Sequence, residues 1–185
     1  MSDSFVILGI AGSLRRESFN RSLLRAAAEL VPEGVRLETF ELDGLPLFNQ
    51  DEEENPHPRV SELKQRVRAA DAILFVTPEY NYSIPGVLKN AIDCGSRPYG
   101  DSAWNGKPVA IMGASIGGQG TARAQYHLRQ TFVFLNMHAV NQPEVMVSNA
   151  SKRFDQEGKL TDETTKKLVQ QLLAELVNWT KRLQE

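Results

Sequence analysis

Residues 11–20, AGSLRRESFN, join the short apolar run Phe5–Ile10 to an amphipathic stretch. They set two serines, an asparagine and two arginines where a buried strand would hand over to a helix. At a helix start the first backbone N–H groups lack partners and the peptide dipoles sum to a positive end, so an anion is favoured there. Ser13, Ser18 and Asn20 supply neutral donors, Arg15 a planar and permanently charged one, and Gly12 lets the backbone approach a ligand closely. A terminal phosphate monoester would satisfy that set. The plainer alternative is a strand–helix turn with Ser18 as N-cap and two arginines in solvent. No GK[ST] follows, so this is not a nucleoside-triphosphate loop, and no G-x-G-x-x-G marks a dinucleotide turn. A phosphatase of low molecular weight would need a nucleophilic cysteine here, and the loop has none. It reads as a device for holding phosphate rather than cleaving it.

Two further segments carry chemistry. Residues 77–90, TPEYNYSIPGVLKN, are stiffened by Pro78 and Pro85 and set Glu79, Tyr80, Asn81 and Tyr82 between them. Flat apolar surface mixed with hydrogen-bonding edges suits a planar heteroaromatic ring; an ordinary tight turn with two half-exposed tyrosines is the alternative. The third segment, SIGGQG at 115–120, offers bare backbone donors from Ser115 and Gly117 onward. A phosphate pocket, an intervening space and a ring platform together match the shape of a flavin mononucleotide.

The elements that must position these loops are readable from apolar periodicity. Phe5–Ile10, Val35–Phe40, Ala72–Thr77, Pro108–Ala114 and Glu144–Ser148 read as strands. Between and after them, helices are expected over Ser18–Val31, around Val60–Val67, after Pro85, over Thr121–Asn136 and over about 162–183. Alternation of this kind implies an α/β fold: a doubly wound, five-stranded parallel sheet in a three-layer α/β/α sandwich, forming one domain over 1–185. In such sheets ligands lie at the carboxyl ends of the strands, where the winding reverses, and all three loops fall on that edge.

Bulk properties narrow the class. A chain of 185 residues with 41% hydrophobic and 24% charged residues, and a net charge of −2, argues against nucleic-acid or anionic-membrane partners. No apolar run reaches membrane-spanning length, the N-terminus does not read as a signal peptide, and Cys94 is the sole cysteine, which fits a reducing cytoplasm. No metal site is expected. His57, His127 and His138 lie outside the three loops and read as structural or surface groups, and Cys94 as a packing residue.

GSLRRESFNRSL, PEYNYSIPGVLKNAID and GASIGGQGTARAQYHLRQ resemble, in order and over nearly the whole chain, the NADPH-dependent FMN reductase family. These are flavodoxin-like enzymes that include quinone, azo-dye and chromate reductases. The resemblance implies that Ser13, Arg15, Ser18 and Asn20 bind the FMN phosphate. It implies that Pro78, Glu79, Tyr80, Asn81 and Tyr82 line the isoalloxazine ring and ribityl chain, with Ser115 and Gly117 bordering the flavin. A hydride would pass from NADPH or NADH through FMN to quinones, free flavin, azo dyes or chromate in ping-pong turnover, with no catalytic side chain. A homodimer or homotetramer is implied too, with Arg123, Tyr126 and Glu144 as a polar interface network beside the apolar 128–135 segment. Cys94 stands where similar proteins often carry tryptophan. The rivals are a flavodoxin-type carrier or storage protein, usually strongly acidic and without arginine in the phosphate loop, and a receiver-type signalling domain. The latter would need an acidic cluster where this chain reads GIAGS and FVTPE.

Overall fold

The computed structural model describes residues 5–185. Apolar, β-branched runs form the strands β1 (Phe5–Ala11), β2 (Val35–Phe40), β3 (Ala72–Val76) and β4 (Pro108–Ala114), and two short pieces, β5 (His138–Ala139) and β6 (Val145–Val147), complete the sheet. The amphipathic stretches between them form α1 (Phe19–Glu29), α2 (Pro58–Ala69), α3 (Gly86–Gly95) and α4 (Ala122–Leu135), and α5 (Glu163–Gln184) closes the chain. The sheet pairings among the described residues are all parallel, in the order β2-β1-β3-β4-β5, with β6 also beside β4. This is the flavodoxin-like arrangement. From β1 the chain winds to β2 on one side, and from β3 to β4 and beyond on the other. The reversal therefore falls between β1 and β3.

Strand alternation sorts the core into two layers. Ile7 and Ala11 of β1, Leu74 and Val76 of β3, and Ala110 and Met112 of β4 pack under α1 and α5. Leu8 and Ile10, Ile73 and Phe75, and Val109 and Ile111 face α2, α3 and α4. Gly9 shows how closely α1 is seated: an added Cβ would lie 2.5 Å from the Leu24 methyl, which would have to shift. Gly95 does the same for Trp104, whose ring is fully buried and donates through Nε1 to the Ile92 carbonyl at 2.9 Å.

The strand expected over Glu144–Ser148 forms as β6, and the short β5 precedes it as an addition to the sequence pattern. β5 pairs with the start of β4 and β6 with its end, on either side of a segment containing Pro143, which has no N–H for the ladder. Within the chain, the apolar second half of α4 is buried along one stripe only. Leu128, Phe132 and Leu135 point into the core, whereas Val133 and Phe134 are 84% and 77% exposed on the outer stripe. The long segment between β2 and α2 holds only a 3-10 turn, Gln50–Glu52. No helix among the described residues is long and apolar enough to cross a membrane.

Candidate cofactor site

The first loop follows directly from β1. Gly12 continues the ladder, donating to the Val76 carbonyl at 2.9 Å, and an added Cβ there would press on Leu88 and Pro78 at 3.2 and 3.3 Å. Ser18 caps α1: its hydroxyl accepts the Asn20 N–H at 3.2 Å, while the Ser13 hydroxyl accepts the Arg15 N–H at 3.3 Å. Both serines are 4% exposed, yet neither hydroxyl hydrogen has an acceptor among the described residues. Arg15 is exposed and forms no ion pair there. Asn20 behaves differently from its neighbours. Its side chain donates to the Ala114 carbonyl at 2.9 Å and accepts the Ala114 N–H at 2.8 Å, stitching α1 to the end of β4. One amide hydrogen is what it retains for a ligand.

The second loop is a tight hairpin. Tyr80 and Ser83 exchange backbone hydrogen bonds of 3.0 and 2.9 Å around Asn81 and Tyr82, both left-handed with φ of 51° and 65°. Asparagine tolerates this conformation, but for a bulky tyrosine it is strained, a condition that accumulates at functional sites. Tyr80 and Tyr82 are 49% and 67% exposed at the sheet edge. Pro78 lies against Gly12. Glu79 turns the other way. Its buried carboxylate accepts the Arg123 and Ala124 N–H groups at 3.0 and 3.2 Å and pairs with the Arg123 guanidinium, so it caps the start of α4. The guanidinium also stacks 3.7 Å from the centre of the Tyr82 ring.

The third loop is anchored at its root and open at its tip. Ser115 donates its N–H to the Val147 carbonyl at 2.9 Å, and its hydroxyl accepts the Gly117 N–H at 3.1 Å. The N–H groups of Ile116, Gly118 and Gln119 have no acceptor among the described residues, and a Cβ on Gly118 would meet nothing. Beneath the loop, Gly113 is wedged between the Thr77 carbonyl and the Thr121 hydroxyl, so β3 and β4 end in contact with the start of α4. Loops one and two thus meet at Gly12 and Pro78, loops one and three at Asn20 and Ala114, and loops two and three at Glu79 and Arg123.

Arg123 and His127 are the supporting residues that sequence reasoning assigned elsewhere. His127 Nδ1 lies 3.0 Å from the Ser83 hydroxyl, one helical turn beyond Arg123. The signal that could have located them is an acid three residues past β3 facing a helix start on the same edge. The Tyr126 hydroxyl donates to Glu144 at 2.8 Å within the same chain, and that bond holds its proton more tightly. Cys94 lies away from the three loops, buried and within 3.8 Å of the Pro46 carbonyl. Burial first, and the Asp93 charge second, push its thiol up to about 11, so it is a poor nucleophile at neutral pH. No group of three metal-ligating side chains occurs among the described residues.

The donor set fits the phosphate end of FMN: two buried hydroxyls with uncommitted hydrogens, an unpaired arginine and a helix start, all neutral or cationic. Comparison with known proteins points the same way. The family model described as NADPH-dependent FMN reductase matches residues 6–152. An NAD(P)H-dependent FMN reductase of Pseudomonas aeruginosa is 52% identical over 184 residues, 99% of each chain. A quinone reductase of Pseudomonas putida is 44% identical over 182 residues, 98% of this chain and 97% of its own. Among solved structures, the flavoenzyme NAD(P)H:(acceptor) oxidoreductase FerB of Paracoccus denitrificans superposes with a TM-score of 0.89 at 34% identity, covering 96% of this chain and 98% of that one.

Proposed function

The chain belongs to the NADPH-dependent FMN reductase family, and from that premise we propose that it oxidises NADPH or NADH and reduces quinones at one FMN site spanning its three loops. It is an oxidoreductase with FMN as cofactor and a nicotinamide nucleotide as reductant. Ser13, Ser18, Arg15 and the remaining amide hydrogen of Asn20 hold the phosphate. Pro78, Tyr80, Asn81 and Tyr82 line the ring and ribityl chain, with Glu79 behind them. Ser115 and Gly117 border the flavin from the third loop, where the N–H groups of Gly118 and Gln119 are available to a ring carbonyl. When bound, FMN supplies two-electron chemistry, taking a hydride from nicotinamide and giving it to an acceptor.

The protein's own part is to bind, orient and leave one ligand face open. No side chain is needed as acid, base or nucleophile. An open face used in turn by nucleotide and acceptor gives ping-pong kinetics, and free flavin, azo dyes and chromate are further acceptors. The whole chain, 1–185, acts as one flavodoxin-like domain, assembled as a homodimer or homotetramer in the cytoplasm. The observation that carries this reading is the pair of buried serine hydroxyls with unpaired hydrogens at the start of α1. The purified protein should be yellow and consume NAD(P)H when given a quinone, with parallel double-reciprocal lines. A yellow protein without consumption would contradict the enzyme reading, and a colourless one that FMN cannot reconstitute would contradict the cofactor.

A further inference from the structure

Glu79 sits in the middle of the second loop, yet its side chain is only 7% exposed and all its visible partners lie on α4. A buried carboxylate is tolerated only when paired, and this one accepts two backbone N–H groups and a guanidinium. Arg123 then reaches back: its flat face covers the Tyr82 ring at 3.7 Å. The same hairpin holds Asn81 and Tyr82 at positive φ, a conformation that tyrosine does not adopt without support. His127, one turn further along α4, fastens Ser83 at 3.0 Å. The ring side of the crevice is therefore shaped by a helix that contributes its own first turns from outside.

We propose that Glu79 and Arg123 are positioning residues: the pair fixes the Tyr80–Ser83 hairpin and the Tyr82 ring in the geometry that receives the flavin ring, without touching the ligand. The proposal rests on the reading that this crevice holds FMN. It predicts a dependence that the phosphate loop does not share. Loss of the pair weakens every ligand carrying the isoalloxazine ring, phosphorylated or not.

The test uses flavin-depleted protein titrated with FMN and with riboflavin, following flavin fluorescence, for the wild type, Arg123→Ala and Arg123→Lys. Arg123→Ala is expected to weaken both flavins by the same factor, about tenfold, and to alter the visible absorption band of the bound flavin. Lysine keeps a charge for Glu79 but has no flat face for Tyr82, so Arg123→Lys should recover the melting temperature while leaving riboflavin affinity and spectrum shifted. A lowered melting temperature with unchanged riboflavin affinity and spectrum would overturn the proposal, reducing the pair to a helix cap. Should Arg123→Ala not fold, Arg123→Lys decides alone by the same two readouts. A wild type that binds neither flavin would overturn the cofactor reading itself, and the proposal with it.

Discussion

At the proposed phosphate end the donors come from one short segment: Ser13, Arg15 and Ser18 are neighbours in sequence, and each is set by the local turn and the helix it starts. At the proposed ring end, the Tyr80–Ser83 hairpin is contacted by Arg123, over the Tyr82 ring, and by His127, at Ser83, from a helix some 44 residues away. A site built locally announces its chemistry through residue types and spacing. One built by a distant helix hides the residues that matter and displays others, such as Glu79, whose chemistry is directed elsewhere. The two ends should therefore fail differently under mutation.

The largest effect is expected where the ends share a floor. A methyl group on Gly113 would overlap both the Thr77 carbonyl and the Thr121 hydroxyl, so Gly113→Ala forces β3, β4 and α4 apart. Overpacking of that kind costs about 3 kcal/mol, roughly 6–12 °C in melting temperature for a chain of this size. Calorimetry should show that loss, and affinity for FMN and riboflavin should fall together. Arg15→Ala separates the ends. Removing one charge-assisted contact of ~1.5–3 kcal/mol should lower FMN affinity roughly ten- to hundredfold. Riboflavin affinity should not move; an equal loss for both flavins would erase the distinction. The smallest effect serves as a control away from both ends. The Cys94 thiol rises from 9.0 in the unfolded chain to about 11, so its contribution to stability is complete below about pH 9 and is lost as pH climbs from 9 through 11. Comparing denaturant midpoints of wild type and Cys94→Ala over that range should show the variant losing less stability, with FMN affinity unchanged.

The same contrast explains what the sequence made legible. β1, β2 and β4 follow from apolar composition and length, and Ser18 as the α1 cap follows from its position before an amphipathic run. β6 follows in the same way from the apolar run at 144–148, whereas β5 escaped because two residues carry too little periodicity, and its place is set by pairing with the start of β4. Residue type could not reveal that Asn20 commits its amide oxygen and one amide hydrogen to Ala114, 94 positions away. Nor could it reveal that the Glu79 carboxylate is engaged by the start of α4. Hydropathy marks the whole 128–135 segment as apolar, and only the helical phase set by Leu128, Phe132 and Leu135 shows that Val133 and Phe134 turn outward on the single chain.

Titrating the flavin-depleted wild type with FMN and with riboflavin, side by side in one calorimeter, tests the account most directly. The two ligands differ only in the phosphate that the buried hydroxyls, Arg15 and the start of α1 are arranged to receive. FMN should bind at least about a hundredfold more tightly, the factor that two or more charge-assisted contacts supply. Equal affinities would mean that no phosphate is gripped there, and would contradict the assignment from which the rest of the site is built.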